Sequence, residues 1–268
     1  MIENLRQQIQ SVSSVDMKLS IVREYLQLLI LRIIEERGYS KHIAFVGGTL
    51  LRILYGLNRY SEDLDFSLVQ PQDFSFDNML KSIEKDLRLY GFSVLLTKKD
   101  THIVMNSFIK FQDVLFPLGL STQKSQILSI KLEIDSRPPS GYQTESTLIQ
   151  NHFLLNVFHF DKPSLFAGKL HAILCRPYAK GRDLYDLVWF LGQPITPNYY
   201  LLSNAYEQTE HERIDFDASV LSQKLTSKIE GLDFSKILPD ITPFLINTNE
   251  QRFLAKEVIL QAIKQSLP

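Results

Sequence analysis

Cysteine, tryptophan, long apolar runs and an excess of charge are all scarce or missing in this chain of 268 residues. The single cysteine, Cys175, excludes an internal disulfide framework and fits a reducing compartment. The most apolar stretch, residues 25–34, is broken by Arg32 and falls well short of the ~20 apolar residues that a membrane-crossing helix requires. Met1-Ile2-Glu3-Asn4 lacks the basic and apolar sections of a secretory signal, so a cytoplasmic location without membrane attachment is expected. A net charge of −1 excludes a uniformly basic coat for nucleic acid, while leaving room for a local basic groove. No repeat and no low-complexity segment is present. What remains is an ordinary folded composition, 44% hydrophobic and 22% charged, long enough for one large domain or two modest ones.

The periodicities divide the chain. Residues 15–37 predict an amphipathic helix, with Leu19, Val22, Leu26, Leu29, Ile30 and Ile33 at three- and four-residue steps and Gly38 at its end. A short run at 42–46 stops at Gly47-Gly48, and 49–55 reads as a helix closed by Gly56. Leu64, Phe66 and Leu68 alternate with Asp63, Asp65 and Ser67, the period of a strand. A second amphipathic helix follows at 76–90. A strand pair, 92–96 and 102–111, is expected around a polar turn at Lys98-Lys99-Asp100. Alternation at 127–134 sets Ile130, Leu132 and Ile134 against Lys131, Glu133 and Asp135. Beyond Pro163 helical periodicity takes over. The expected fold is α/β, with a mixed sheet flanked by helices over residues 1–158 and a helical domain over 159–268.

A strand that ends in Gly-Gly and turns into a helix aims several backbone N–H groups at one point and favours an anion such as phosphate. Two glycines at such a turn serve equally well for geometry alone. Asp63 and Asp65, two apart on a strand, project from one face, an arrangement that favours a hard divalent cation such as Mg²⁺. A solvated pair on an edge strand is the other reading. Together, a phosphate-binding turn and an aligned carboxylate pair are what transfer of a nucleotidyl group requires. Glu133 is the candidate for a third carboxylate, with a surface ion pair to Lys131 as the competing reading.

In the second half, Pro163 and Ser164 mark a helix start, placing Lys169 inside a helix. In the helix beginning near Arg182, the stripe Leu184, Leu187, Val188 and Leu191 faces a core. On that wheel Asp183 lies at the stripe's edge, whereas Asp186 lies nearly opposite and is expected to meet water. Lys169, His171, Arg176, Lys180 and Arg182 form a basic cluster, suited to phosphates or simply balanced by Asp183 and Asp186. The six histidines show no zinc-ligand spacing, and Trp189 and Tyr185 are expected to pack.

The strings Gly47-Gly48-Thr49-Leu50-Leu51-Arg52 and Arg59-Tyr60-Ser61-Glu62-Asp63-Leu64-Asp65-Phe66 resemble the AbiEii-type nucleotidyltransferase toxins, which include the MenT toxins, within the polymerase-β superfamily. The resemblance continues at Lys169-Leu170-His171-Ala172 and at Lys180-Gly181-Arg182-Asp183-Leu184-Tyr185-Asp186-Leu187. From Gly47 to Leu187 these four blocks span about half the chain. The resemblance implies nucleotide binding by Gly47, Gly48, Thr49, Arg52, Ser61 and Lys169, and metal binding by Asp63 and Asp65, with Glu133 the third metal ligand expected from the strand alternation. It also implies catalytic roles for Asp63, Asp65, Lys169 and Asp183. Thr49 stands where many superfamily members have serine, and keeps the hydroxyl.

The activity so implied is transfer of a nucleoside monophosphate from an NTP to an acceptor hydroxyl, with Mg²⁺ or Mn²⁺ as cofactor. The resemblance also implies an RNA acceptor, the 3′ end of a tRNA, and the role of toxin in a type IV toxin–antitoxin system. A cognate antitoxin would act by binding this chain or by modifying it at Ser61 or Thr49. A small-molecule or protein acceptor, and a non-catalytic NTP- or RNA-binding protein of the same fold, are the alternatives. Residues after about 198 match no pattern.

Overall fold

The computed structural model describes residues 2–100 and 103–267, the side chains of Lys99 and Asp100 excepted. After α1 (Ile2–Ile9), Ser14 caps α2 (Val15–Glu36) by accepting the Met17 N–H, and Gly38, at φ 74°, turns the chain away from it. Of the apolar stripe predicted for α2, Val22, Leu26, Leu29, Ile30 and Ile33 are buried and Leu19 is half-buried; Tyr25, Leu28, Leu31 and Ile34 beside it are buried too, because α1, α4 (Phe76–Leu89) and the sheet pack around this helix. Strand β1 (Ile43–Val46) leads into α3 (Gly47–Tyr55), which ends on Gly56, and β2 (Leu64–Leu68) follows. The remaining strands are β3 (Val94–Asp100), β4 (Val104–Phe111), β5 (Leu128–Asp135), β6 (Thr144–Gln150) and β7 (Leu154–Phe160).

Among the described residues these strands form one seven-stranded sheet in the order β3-β4-β5-β2-β1-β7-β6. It is mixed: β2 runs parallel to β5 and β1 parallel to β7, while β1–β2, β3–β4 and β4–β5 are antiparallel. With helices flanking it, this is the α/β class expected from the sequence. One local expectation fails. Lys98-Lys99-Asp100 is no turn but the end of β3, paired through Lys98↔Ser107 and Asp100↔Met105. Lys98 is suited to a strand there, because its ammonium meets Asp77 at 2.8 Å and lies over the Phe76 ring. The predicted start of the next strand, His102, lies outside the described residues. The hairpin β6–β7 was not foreseen; it inserts β7 beside β1, where Leu155, Val157 and His159 are buried.

Helical elements follow: α5 (Lys162–Cys175), α6 (Gly181–Leu191), α7 (Tyr199–Glu210), α8 (Ala218–Glu230), α9 (Phe234–Ile241) and α10 (Lys256–Ser266), with 3₁₀ turns at Thr242–Phe244 and Thr248–Leu254. The cap of α5 is Asp161, two residues before the predicted start at Pro163, accepting the Ser164 N–H at 2.9 Å. The Ser164 hydroxyl accepts instead from the Gln143 N–H. Two compact units result: residues 1–56, 60–138 and 145–159 form one, and residues 57–59, 139–144 and 160–268 the other. No described helix is long and apolar enough to cross a membrane.

Candidate active site

In the sheet-containing unit the glycine turn and the carboxylate pair meet. The antiparallel register sets Val46 opposite Asp65, so the chain leaving β1 at Gly47 passes directly beside that carboxylate. Gly47 has φ 84°, and a Cβ built on it would lie 3.0 Å from the Asp65 Cβ and closer still to Oδ2. Only glycine accommodates both the left-handed backbone and that approach. No side chain caps α3, whose first turn consists of Gly47, Gly48 and Thr49. Its leading N–H groups and the positive end of its dipole are thus presented beside Asp65.

The Thr49 hydroxyl, expected to face nucleotide, donates instead to the Asp63 carbonyl and is buried. Its role in the structure is to fasten the segment that enters β2. Each neighbour in that segment is also fastened. The Ser61 carbonyl accepts from Gln27 Nε2 at 3.2 Å, Glu62 pairs with Arg23 at 3.1 Å, and the Tyr60 ring lies under the Arg52 guanidinium. Arg52 also pairs with Glu24 at 2.8 Å. Gln27 and Arg23 were not singled out from sequence. The one signal was a glutamine inside the apolar middle of α2, where it is 1% exposed.

Asp63 lies just before the first residue of β2, and Asp65 within it. Across the parallel pair Asp65 stands opposite Glu133, which in turn stands opposite Asn106. Residues directly opposite share a face, so Asp65 and Glu133 occupy adjacent strands on one side of the sheet. The Glu133 carboxylate pairs with Lys131 at 2.7 Å. Among the described residues no three histidine, cysteine or acidic side chains are grouped as a metal site. The donors at hand are carboxylate oxygens, which suit Mg²⁺ or Mn²⁺. Asp63 and Asp65 fit that requirement, and Glu133 joins them only by exchanging its lysine. Asp135, on the same face, has its carboxyl pushed up by burial against a lowering hydrogen bond from the Arg137 N–H.

The helical unit holds the other candidates. Lys169 on α5 meets Asp186 on α6 at 2.7 Å and Asp183 at 3.4 Å. Asp183 also pairs with Arg176. Asp186, expected to meet water, has a side chain 0% exposed, because α6 is enclosed by α5, α9, α10 and the turn Thr248–Leu254. Its partner is Arg59, which donates to both oxygens at 2.7 Å from a side chain 2% exposed. Burial alone would push the Asp186 carboxyl up. The Arg59 and Lys169 charges and hydrogen bonds outweigh that and hold it below the usual carboxylate range. Arg59 and Asp186 were both missed as candidates.

The basic cluster read from sequence disperses. Lys169 and Arg176 share a carboxylate, while His171 bonds Thr209, Arg182 lies over Phe244 and Lys180 over Tyr178. Tyr185 packs as expected and donates its hydroxyl to Glu250, while Trp189 meets Phe190 edge-on.

Comparison with known proteins bears on this arrangement. The model of a family described as nucleotidyl transferase AbiEii toxin, Type IV TA system, matches residues 29–257. Among solved structures the chain is similar to MenT4, a nucleotidyltransferase toxin from Mycobacterium tuberculosis H37Rv. The match has 16% identity and a TM-score of 0.64 over 98% of this chain and 89% of that one. It is also similar to JHP933 from Helicobacter pylori, at 21% identity and a TM-score of 0.53, over 92% of this chain and 93% of that one. These identities speak for the fold alone. No curated protein sequence matches.

Proposed function

Because this chain belongs to the AbiEii nucleotidyl transferase toxin family, and is therefore a nucleotidyltransferase, we propose that it moves a nucleoside monophosphate from an NTP to the 3′ hydroxyl of a tRNA. The observation that supports this reading most is the Asp65 carboxylate set against Gly47 at the uncapped start of α3. There the backbone N–H groups receive phosphate oxygens beside the carboxylate that would hold a cation. The acceptor hydroxyl attacks the α-phosphorus, the bond to the β-phosphate oxygen breaks, pyrophosphate leaves, and the hydroxyl proton passes to a base. Asp63 and Asp65 would hold Mg²⁺ or Mn²⁺, with Glu133 as a third oxygen ligand; when bound, the ion neutralises the triphosphate. Gly47, Gly48 and Thr49 contribute backbone N–H groups to the nucleotide. Arg52 and Ser61 belong to the same proposal, with Arg52 now engaged by Glu24. For Lys169 as a phosphate ligand and Asp183 as a group that orients the hydroxyl, support comes from the family pattern and from their shared ion pair.

Incubation with Mg²⁺, each labelled NTP in turn and total tRNA tests the reading, beside Asp65→Ala. Label on tRNA that vanishes in the variant is the expected result. Label on the protein itself, or none despite nucleotide binding, would replace the acceptor by a side chain or a small molecule.

The family description also supports a toxin paired with an antitoxin, and a cytoplasmic location belongs to the same proposal. Of the two hydroxyls considered for modification, Thr49 is 1% exposed and bonded to Asp63, so Ser61 is the better target. Co-expression with the antitoxin followed by intact-mass measurement would show a mass shift that Ser61→Ala removes; an unshifted mass ends that idea.

A further inference from the structure

We propose that Arg59 and Asp186 are positioning residues that hold the Lys169 ammonium for phosphate. The inference rests on the reading of Lys169 as a phosphate ligand and extends it to two residues that touch no substrate.

The geometry runs from the buried end outward. The guanidinium donates from Nε to Oδ1 and from Nη2 to Oδ2, both at 2.7 Å, so the Asp186 carboxylate is fixed in plane and in rotation. Oδ2 is then shared with Lys169 Nζ, also at 2.7 Å. Side-chain exposure rises along the chain of contacts, from 0% at Asp186 and 2% at Arg59 to 16% at Lys169. A buried carboxylate–guanidinium pair is already balanced in charge and needs no second cation. Adding one at the more exposed end, with Asp183 and its partner Arg176 beside it, leaves these five side chains with a surplus of one positive charge. An ammonium has three donors, and two are taken by carboxylates on α6. The remaining donor and the surplus charge suit an anionic oxygen.

Arg59 is itself held. Its backbone bridges Leu245, the neighbouring Asn58 side chain donates to Glu250, and the Tyr185 hydroxyl reaches the Asn58 carbonyl at 3.3 Å. The turns at Thr242–Phe244 and Thr248–Leu254 thereby set the position of the guanidinium.

The test compares dissociation constants for Mg²⁺ with ATP, CTP, GTP and UTP in the wild type, Lys169→Met, Asp186→Asn, Arg59→Lys and the double variant Lys169→Met/Asp186→Asn. Melting temperatures are measured in parallel. Loss of the lysine should weaken the best nucleotide about tenfold or more. Asp186→Asn and Arg59→Lys should weaken it severalfold in the folded protein, and the double variant should be no weaker than Lys169→Met, since the same interaction is lost. Lysine at position 59 keeps the charge without the two-pronged hydrogen bond, so it carries the test should Asp186→Asn not fold. Variants at 59 and 186 that lower the melting temperature while leaving nucleotide affinity intact would reduce the pair to a structural role and overturn the inference. Unchanged affinity in Lys169→Met would instead overturn the reading of Lys169 itself, and the inference with it.

Discussion

At Gly47 the backbone adopts φ 84° and the Asp65 carboxylate fills the space a Cβ would need, whereas Gly56 has φ 69° with nothing within 4 Å. Both positions favour glycine for conformation, but only one is crowded. Gly56→Ala should cost about 1 kcal/mol of stability and leave nucleotide transfer intact. Gly47→Ala should lose more than that and abolish transfer, because the added methyl displaces Asp65. Thermal unfolding with the labelled-NTP assay separates the two. Asp186 adds a dependence on pH. Its folded pKa lies below its unfolded one, so its contribution is complete above the ordinary carboxylate range, near ~3.9, and is lost as pH falls through the folded value. Melting temperatures followed from pH 7 to pH 2 should fall steeply below about pH 4 in the wild type. In Asp186→Asn they should start lower and fall less steeply.

Among the elements, α5 offers a direct check on what positions Lys169. Asp161→Ala removes its cap and should cost about 1 kcal/mol in denaturant unfolding, with nucleotide affinity unchanged because the cap lies two turns from the lysine. The elements most legible in sequence were those with one wet face. In α4, Met79, Leu80, Ile83 and Leu87 are buried as their spacing implies, and β5 alternates buried and half-buried over its whole length. Reading failed where that assumption failed. Helix α6 has no wet face, and an aspartate on its supposedly outer side was assigned to water when a guanidinium 127 residues away had replaced the water. Strand β6, Thr-Glu-Ser-Thr-Leu-Ile-Gln at a sheet edge, buries almost nothing and leaves no apolar signal. The glycine turn and Asp65 were legible because their chemistry is local in sequence. Arg59 and Asp186 were not, because neither has a meaning without the other.

At the scale of the whole molecule, the C-terminal stretch, for which the sequence offered no pattern, lies within the family match as far as residue 257 and is structural. Leu254, Ile259 and Ile263 are each 0% exposed, and burial of one such side chain contributes about 1.5–3 kcal/mol. A chain ended at residue 241 loses all three together with Glu250 and Leu245. Limited trypsin digestion should then cleave between residues 160 and 241 much faster than in the intact protein; equal rates would show that the tail is dispensable.

The assignment of residues 57–59 to the helical unit has a temporal side as well. The guanidinium of Arg59 leaves the ribosome 127 residues ahead of its carboxylate, an interval of roughly 6–25 s at ordinary elongation rates. Through that interval the nascent toxin carries its glycine turn and Asp65 but lacks the helix that would hold Lys169 in place. On the proposal made for Lys169, the chain therefore acquires this phosphate contact only after more than two thirds of its own message has been translated.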